Sequence, residues 1–479
     1  MAGAPPGEQA ILLRRTLIKW AIVAASVALV LALPEPEGIQ PGGWTFLAIF
    51  AGTMVGLVVQ PVPGGAVVLL GVAATAVFGI RPLGTALSGY ADPLVWLVLS
   101  AFMIARGMIK SGMGRRIALL FVRFLGRTSL GLGYALAITD GFLASVIPSN
   151  SARAGGILFP LTRSISESYD SHPGPTADRL GGYLMPLVYQ TDVIVCAMFL
   201  TGQASNPLIA GFVLQAIGVE ISYLMWMVGA LVPGLISLAF VPYLLYRAFP
   251  PEVKKTPDAA RFAATELEAM GPVSRNEWLM LGTFLLILFL WLTPAWHGID
   301  YAVVALLGLA TLILTGVLTW EDIITERSAW DVFIWYGGLL QLARILTESG
   351  ITTWFAEATG GMLGGLPWAP MLGILVLVYF YAHYAFASIT AHATAMFIPF
   401  LTVAVAAGAP PLLTALLLLY FSNLCASLTH YGTTPAPIFF GSRYVSQARW
   451  WKIGFVVSVS HVVVWSVFGM TWWKILGWW

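Results

Sequence analysis

Charge is the scarcest commodity in this sequence. Asp, Glu, Lys and Arg together make up 10% of the 479 residues, where a soluble protein carries about 25%. A water-soluble globule cannot cover its surface with so few charges, so cytosolic enzymes are excluded. Cysteine is nearly absent: Cys196 and Cys425 both sit inside apolar runs. That excludes a secreted disulfide scaffold, and both read as small buried hydrophobes. Net charge is only +2, too small to imply a polyanionic partner, and so membrane-like a composition removes nucleic-acid binding. What is abundant is apolar: hydrophobic residues are 58% of the chain and mean hydropathy is +0.84. The sequence describes an all-α polytopic membrane protein living in a lipid bilayer.

Apolar runs long enough for membrane helices occur at 17–33, 44–60, 64–80, 91–109, 183–216, 222–247, 277–294, 299–318, 330–347, 412–440 and 453–475. The first follows Arg14, Arg15 and Lys19 but ends Leu31-Ala32-Leu33-Pro34, with no small-x-small cleavage site. It reads as a spanning helix rather than a signal peptide. With the N-terminus inside, only Arg81 and Lys474 of the basic residues fall outside, and Arg106, Arg153 and Arg344 fall at or within membrane segments. The rest face the cytoplasm, as the positive-inside rule requires. An odd number of spans then puts the C-terminus outside, and the expected location is the cell's inner (plasma) membrane. Trp472, Trp473, Trp478 and Trp479 read as interfacial anchors.

Two apolar regions, 129–162 and 369–407, fit this scheme badly. Arg127 and Arg163 bracket the first, and both must be cytoplasmic. Two crossings of a core about 30 Å thick need more helix than this segment holds. It is therefore expected to enter partway and return, turning at Ile147-Pro148-Ser149-Asn150-Ser151. The competing reading is one long tilted helix. Irregular backbone at membrane depth is tolerated only where it is buried in protein or lines a cavity. Between the halves, 249–276 is polar and begins Phe249-Pro250-Pro251-Glu252. It reads as a cytoplasmic linker with some helix around 257–270 and no chemistry.

The halves flanking this linker resemble each other. Ala105-Arg106 with Ser111-Gly112 returns as Ala343-Arg344 with Ser349-Gly350. Ser149-x-Ser151-Ala152-Arg153 with Pro160 returns as Ser388-x-Thr390-Ala391-His392 with Pro399, and Thr201 with Pro207 returns as Thr429 with Pro435. Each half carries an odd number of spans, so the repeats are inverted, the pattern of secondary transporters with substrate near the midplane. Polar breaks lie inside the long fifth span, Thr201-Gly202-Gln203-Ala204-Ser205-Asn206-Pro207, and the tenth, Thr429 to Pro437. A simple proline kink explains one such break; two equivalent ones point to freed amides and helix N-termini that hold a carboxylate.

Ser149 to Gly156, Ser388 to Thr394 and Thr429 to Pro437 together resemble the divalent anion/sodium symporter (DASS) superfamily. Within it they are similar to the branch of plastid 2-oxoglutarate/malate translocators and bacterial citrate/succinate or tartrate/succinate antiporters. The similarity runs from the second span to the eleventh. It implies a homodimer of eleven-span protomers with two re-entrant hairpins, 129–165 and 369–408, working as an elevator. The expected layout is a first span in 1–43, repeats at 44–248 and 277–479, a scaffold of 17–127 and 277–357, and a transport domain of 128–248 and 369–475. Sodium-coupled members carry Ser-Asn-Thr at both tips. Here Ser151 takes the Thr place and Ile389 the second Asn place. In the exchanger branch, the Arg and His after the tips stand where sodium would sit; in this chain these are Arg153 and His392.

Arg153 and His392 also occupy equivalent repeat positions. An arginine at membrane depth is costly unless it meets an anion, so Arg153 is expected to face the substrate cavity. His392 is a weaker cation, since it can be neutral at pH 7. Built-in cations cannot be shed, and returning them unpaired costs several kcal/mol. Obligate, sodium-independent exchange follows. The expected contacts to small dicarboxylate substrates are Ser149, Asn150, Ser151, Ser388 and Thr390 from the tips, and Asn206, Thr433 and Pro437 from the breaks. Asp140 and Asp192 are candidates for pairing with Arg153, for carrying a coupling proton, or for a structural role. Arg106 and Arg344 are expected to anchor scaffold helices. His383, His392 and His430 lack metal-site spacing, so no metal or cofactor is expected, and no Ser-His-Asp arrangement is present. A sodium- or proton-coupled symporter of the same fold is the alternative; an intramembrane enzyme or channel-like permease is remoter.

Overall fold

The computed structural model describes residues 6–355 and 367–479; residues 356–357 of the expected scaffold lie outside them. Among the described residues the chain is helical, with one isolated β-bridge, Thr128 to Lys255. The first half contains α1 (Pro6–Ala32), α2 (Gly43–Val59), α3 (Gly64–Val77), α4 (Pro93–Ser111), α5 (Met113–Leu125), α6 (Ser129–Ala144), α7 (Phe159–Ser168), α8 (Gly181–Met198), α9 (Ser205–Ile217) and α10 (Tyr223–Ala248). After α11 (Pro257–Ala269) come α12 (Arg275–Leu292), α13 (Tyr301–Leu314), α14 (Arg327–Glu348), α15 (Trp368–Ala382), α16 (Ile389–Ala406), α17 (Pro411–Leu424) and α18 (Gln447–Val464). Every expected span carries a helix. Among the described residues, eight helices are long and apolar enough to cross a membrane, and five further apolar helices are shorter.

Local sequence sets the boundaries. Asp92 accepts a hydrogen bond from the Leu94 amide to start α4 behind Pro93, and Gly112, at φ 80°, ends it. Ser274 and Glu277 form a reciprocal capping box at the start of α12, satisfying two otherwise orphaned donors. Pro148 and the polar residues around it interrupt helix between α6 and the arm that returns from Asn150 through a wide π turn (Ser151–Leu158) into α7. The chain doubles back here, with α6 against the π turn, so the hairpin holds and the single tilted helix does not. The second hairpin runs α15, a turn at His383–Ala385, then α16. Its two arms are, by length and composition, each able to cross a membrane, unlike the shorter arms of the first.

Two sets of helices face each other. In one, α2 packs on α1 and α3, while α14 bridges α3 and α4. In the other, α8 is central and packs on α6, α7, α10 and α17. Every residue of α8 is buried, including Tyr189 and Gln190, which donate to the Ala426 and Ser427 carbonyls. The sets meet where α9 packs on α14 and α2 on α16. The linker helix α11 lies on α5, tied by Arg115–Glu266. Beside it the buried Arg116 pairs with Glu277. One expected interfacial anchor is instead core: Trp473 is 0% exposed and stacks on Tyr420.

Candidate functional site

A cavity of about 350 Å³ opens where the two hairpin tips and the first break face α2 and α14. Ser149, Asn150 and Ser151 line it from the first tip, and Ser388 and Thr390 from the second. Gln203, Ala204 and Ser205 come from the first break, and Thr433 and Thr434 from the second. Ser328, Asp331 and Trp335 of α14 close the far wall.

Three helix N-termini converge on this space. The return arm of the first hairpin begins at Asn150, whose Oδ1 accepts from the Ser151 amide. α9 begins at Ser205. α16 begins after Ser388, whose hydroxyl accepts from the Ala391 amide. Helix N-termini expose free N–H groups and a partial positive charge, which suits an anion. Among the described residues, no Lys or Arg lines the cavity. The groups it offers an anion are backbone ends and polar hydroxyl and amide groups, with the Asp331 carboxylate on the far wall.

The tips and breaks are cross-linked between repeats. Asn150 Nδ2 donates to Thr433 Oγ1 at 3.1 Å, and Ser151 Oγ donates to Thr434 Oγ1 at 2.7 Å. Gln203 of the first break donates to Asn423 at the end of α17. Thr201 ties its own break to its own tip through the Ala144 and Ser145 carbonyls, at 2.9 and 3.0 Å. Gly202 is required here: a Cβ would sit 2.4 Å from the Cys196 carbonyl oxygen.

Arg153 does not face the cavity. It is 0% exposed and lies behind the first tip. Its Nε donates to Asp140 at 2.8 Å, and Nη1 to the carbonyls of Ile147 at 2.6 Å and Gly202 at 2.8 Å. Nη2 donates to Asp192 at 3.2 Å and approaches Cys196 Sγ at 3.5 Å. All five guanidinium donors are thereby directed at protein partners. The reason is electrostatic: two carboxylates in the same dry compartment compete successfully with any anion in the cavity. Both aspartates therefore pair with Arg153, each leaving one buried oxygen without a partner. The expected unpaired cation is absent, and with it the argument that an empty carrier would carry uncompensated charge.

His392 is also fully buried and off the cavity. Its ring lies 4.4 Å from Tyr379 and 5.0 Å from Phe386, centroid to centroid, and its Nδ1 is 3.6 Å from Cys425 Sγ. Two residues expected from the breaks are elsewhere. Asn206 is 0% exposed, its amide spent on the Cys196 and Phe199 carbonyls at 2.8 and 2.9 Å; it braces the break rather than lining the cavity. Pro437 is exposed on the short helix Ala436–Gly441 and does not border the cavity, because the chain has already re-entered helix there. Arg106 lies near Asp322 and Glu326, and Arg344 pairs with Asp92, both away from the cavity.

Sequence reasoning passed over several of these residues. Gln203 and Thr434 sit inside the two polar breaks and were readable as such. Asp331 and Trp335 lie in an apolar run with nothing to distinguish them. The two cysteines share a signal that a buried-hydrophobe reading ignored: each stands a few residues ahead of a break, Cys196 in the last turn of α8 and Cys425 directly after α17.

Comparison with known proteins is consistent with this arrangement. Residues 14–479 match the family described as the sodium:sulfate symporter transmembrane region. The chain is 45% identical over 450 residues to the spinach (Spinacia oleracea) protein named dicarboxylate transporter 1, chloroplastic, covering 93% of this chain and 79% of that one. It is 34% identical to the L-tartrate/succinate antiporter of Escherichia coli, covering 94% of this chain and 96% of the other. The crystal structure of the Alcanivorax borkumensis YdaH transporter shares the fold at 14% identity, with TM-score 0.55 over 98% of this chain and 99% of that chain. A bundle built from paired hairpins and broken helices, with a polar cavity at their meeting point, thus has its place: the chain belongs to the sodium:sulfate symporter family, within the DASS superfamily, and is a membrane transporter rather than an enzyme.

Proposed function

We propose that this chain is a sodium-independent dicarboxylate antiporter that exchanges C4–C6 di- or tricarboxylates as dianions across the membrane. The observation that carries the reading is the convergence of three helix N-termini and the tip hydroxyls on one cavity. Two separated anion-binding ends suit the two carboxylates of a short dianion. The relatives named above as a dicarboxylate transporter and a tartrate/succinate antiporter support that substrate class.

Sodium independence rests on Arg153. Its guanidinium joins the carbonyl of Ile147 in the first tip to that of Gly202 in the first break, the kind of bridge a bound cation makes between carbonyls. A covalently attached cation leaves no room there for a dissolved one. Exchange is then supported by the relative named a tartrate/succinate antiporter and by electroneutrality, rather than by an unpaired charge. Net entry of a dianion without cations would work against about 2.3 kcal/mol per charge per 100 mV. One-for-one exchange moves no net charge. In this reading the helices around α8 and α17 are the transport domain, and α2, α4, α13 and α14 are the scaffold. The former carries the tips across as an elevator, within a homodimer in the plasma membrane with its N-terminus in the cytoplasm.

A second reading, proton-coupled symport, is favoured by one observation. Two ionised carboxylates against one guanidinium would leave an unpaired negative charge in a dry site, so a single proton shared by Asp140 and Asp192 balances it.

Counterflow in reconstituted vesicles separates these. Exchange predicts that labelled malate enters vesicles preloaded with unlabelled dicarboxylate and hardly enters empty ones, whatever the pH gradient. Uptake into empty vesicles driven by outside acid would establish the second reading and overturn the first.

A further inference from the structure

Behind the second tip lies a cluster that the transport reading does not use. His383, His392 and Cys425 each present one donor atom within 4.8 Å of the other two. All three side chains are 0% exposed. His383 Nε2 bonds the Gly432 carbonyl at 3.0 Å, which makes that nitrogen the protonated one and leaves Nδ1 with a free lone pair. His383 Nδ1 and His392 Nε2 have no hydrogen-bond partner. Unpartnered buried nitrogens are uncommon and costly. A protonated ring would need a counter-charge, yet neither histidine is ion-paired, in contrast to Arg153.

We propose that His383, His392 and Cys425 form a binding site for a borderline-soft divalent cation of the Zn²⁺ class. Two neutral imidazoles and a thiolate are the ligands such ions prefer, whereas sodium, magnesium and calcium take oxygen ligands and no carboxylate among the described residues joins the cluster. Ligand atoms around a tetrahedral zinc stand about 3.3–3.8 Å apart, given bonds of about 2.0–2.3 Å. Small side-chain rotations therefore close the set, leaving a fourth position for water. The His383 Nε2 bond to Gly432 fixes ring orientation, as second-layer hydrogen bonds do in zinc sites. Gly432 makes that contact possible, since a Cβ there would lie 3.0 Å from His383 Nε2 and 2.9 Å from the Ala426 carbonyl oxygen. Cys425 directly follows α17 and precedes the second break, one residue out of register with Cys196, which precedes the first break and touches Arg153. With a thiolate and two neutral rings, the bound ion leaves one net positive charge behind Ser388. That is the fixed charge which the first site, already balanced by two aspartates, does not offer to the cavity.

The test does not depend on transport. The full chain, purified with a histidine-free tag and stripped with chelator, is titrated with Co²⁺ and followed by absorption. The proposal predicts one equivalent bound, with a thiolate-to-cobalt charge-transfer band that Zn²⁺ displaces. Cys425→Ser should lose the band, His383→Gln should weaken binding, and Cys196→Ser should keep the band. A wild-type protein that shows no thiolate band overturns the proposal without recourse to any variant. So does a band that survives in Cys425→Ser or disappears only in Cys196→Ser.

Discussion

The two repeats place different chemistry at the same structural station. Behind the first tip, Arg153 is held by Asp140, Asp192 and two carbonyls, a site made of charges. Behind the second tip, His392 is packed among Tyr379, Phe386, His383 and Cys425, a site made of rings and sulfur. Tyr379 stands to His392 in sequence as Asp140 stands to Arg153. Inverted symmetry therefore conserves where the hairpin meets its break and not what joins them. The first site is a fixed ionic clamp. The second is neutral and has room in its bonding for something more.

The largest expected effect comes from breaking the clamp. Arg153→Met strands two carboxylates in a dry interior, and removing one partner of a buried pair costs about 3–5 kcal/mol. Thermal unfolding of the purified protein should fall sharply and exchange should be lost. His392→Gln, at the equivalent station, should cost far less when both proteins are compared chelator-stripped, because no ion pair depends on it. Equal losses in the two variants would erase the distinction drawn here.

A smaller effect sharpens the first site alone. If one proton already sits between Asp140 and Asp192, replacing either by Asn removes a group that was effectively neutral. Each single variant should then cost about 1–2 kcal/mol, in the range of a neutral buried hydrogen bond. Asp140→Asn/Asp192→Asn should cost far more than the sum, because it leaves the guanidinium unpaired. Additive costs in a double-mutant cycle, read by thermal or denaturant unfolding, would argue that the carboxylates act separately.

Smaller still is the contrast between two residues around the second break, one that reaches it from the first tip and one that follows it. Asn150→Ala removes the donor to Thr433 and should weaken apparent substrate affinity by about tenfold, the equivalent of about 1.4 kcal/mol. Pro437→Ala, on an exposed helix off the cavity, should leave exchange rates near wild type. A strong transport defect in Pro437→Ala would restore that residue to the site.

Much of the architecture could be read before any coordinates. The tips and breaks announce themselves because Pro148, Gly202, Pro207 and Pro435 disfavour a helix interior and stand beside polar residues inside apolar runs. The duplication follows from those same markers. Side-chain direction could not be read this way. Arg153 follows the tip by two residues, yet whether it turns to the cavity or away depends on Asp140 and Asp192, which reach it from α6 and α8. Nothing in one strand of sequence reports that convergence. Pro437 failed for the opposite reason: its motif ran on past the point where the backbone becomes helical again. Asp331 was hidden because α14 meets the cavity along a single edge, and one acid in an apolar span carries no positional information.

The claim on which the rest depends is that a guanidinium has taken the place of a dissolved cation at the first tip. The direct measurement is the rate of dicarboxylate exchange in preloaded vesicles as sodium is raised from zero against choline at constant ionic strength. A flat response is predicted. A saturable rise with sodium would mean that a free ion still completes the site, and would contradict the account.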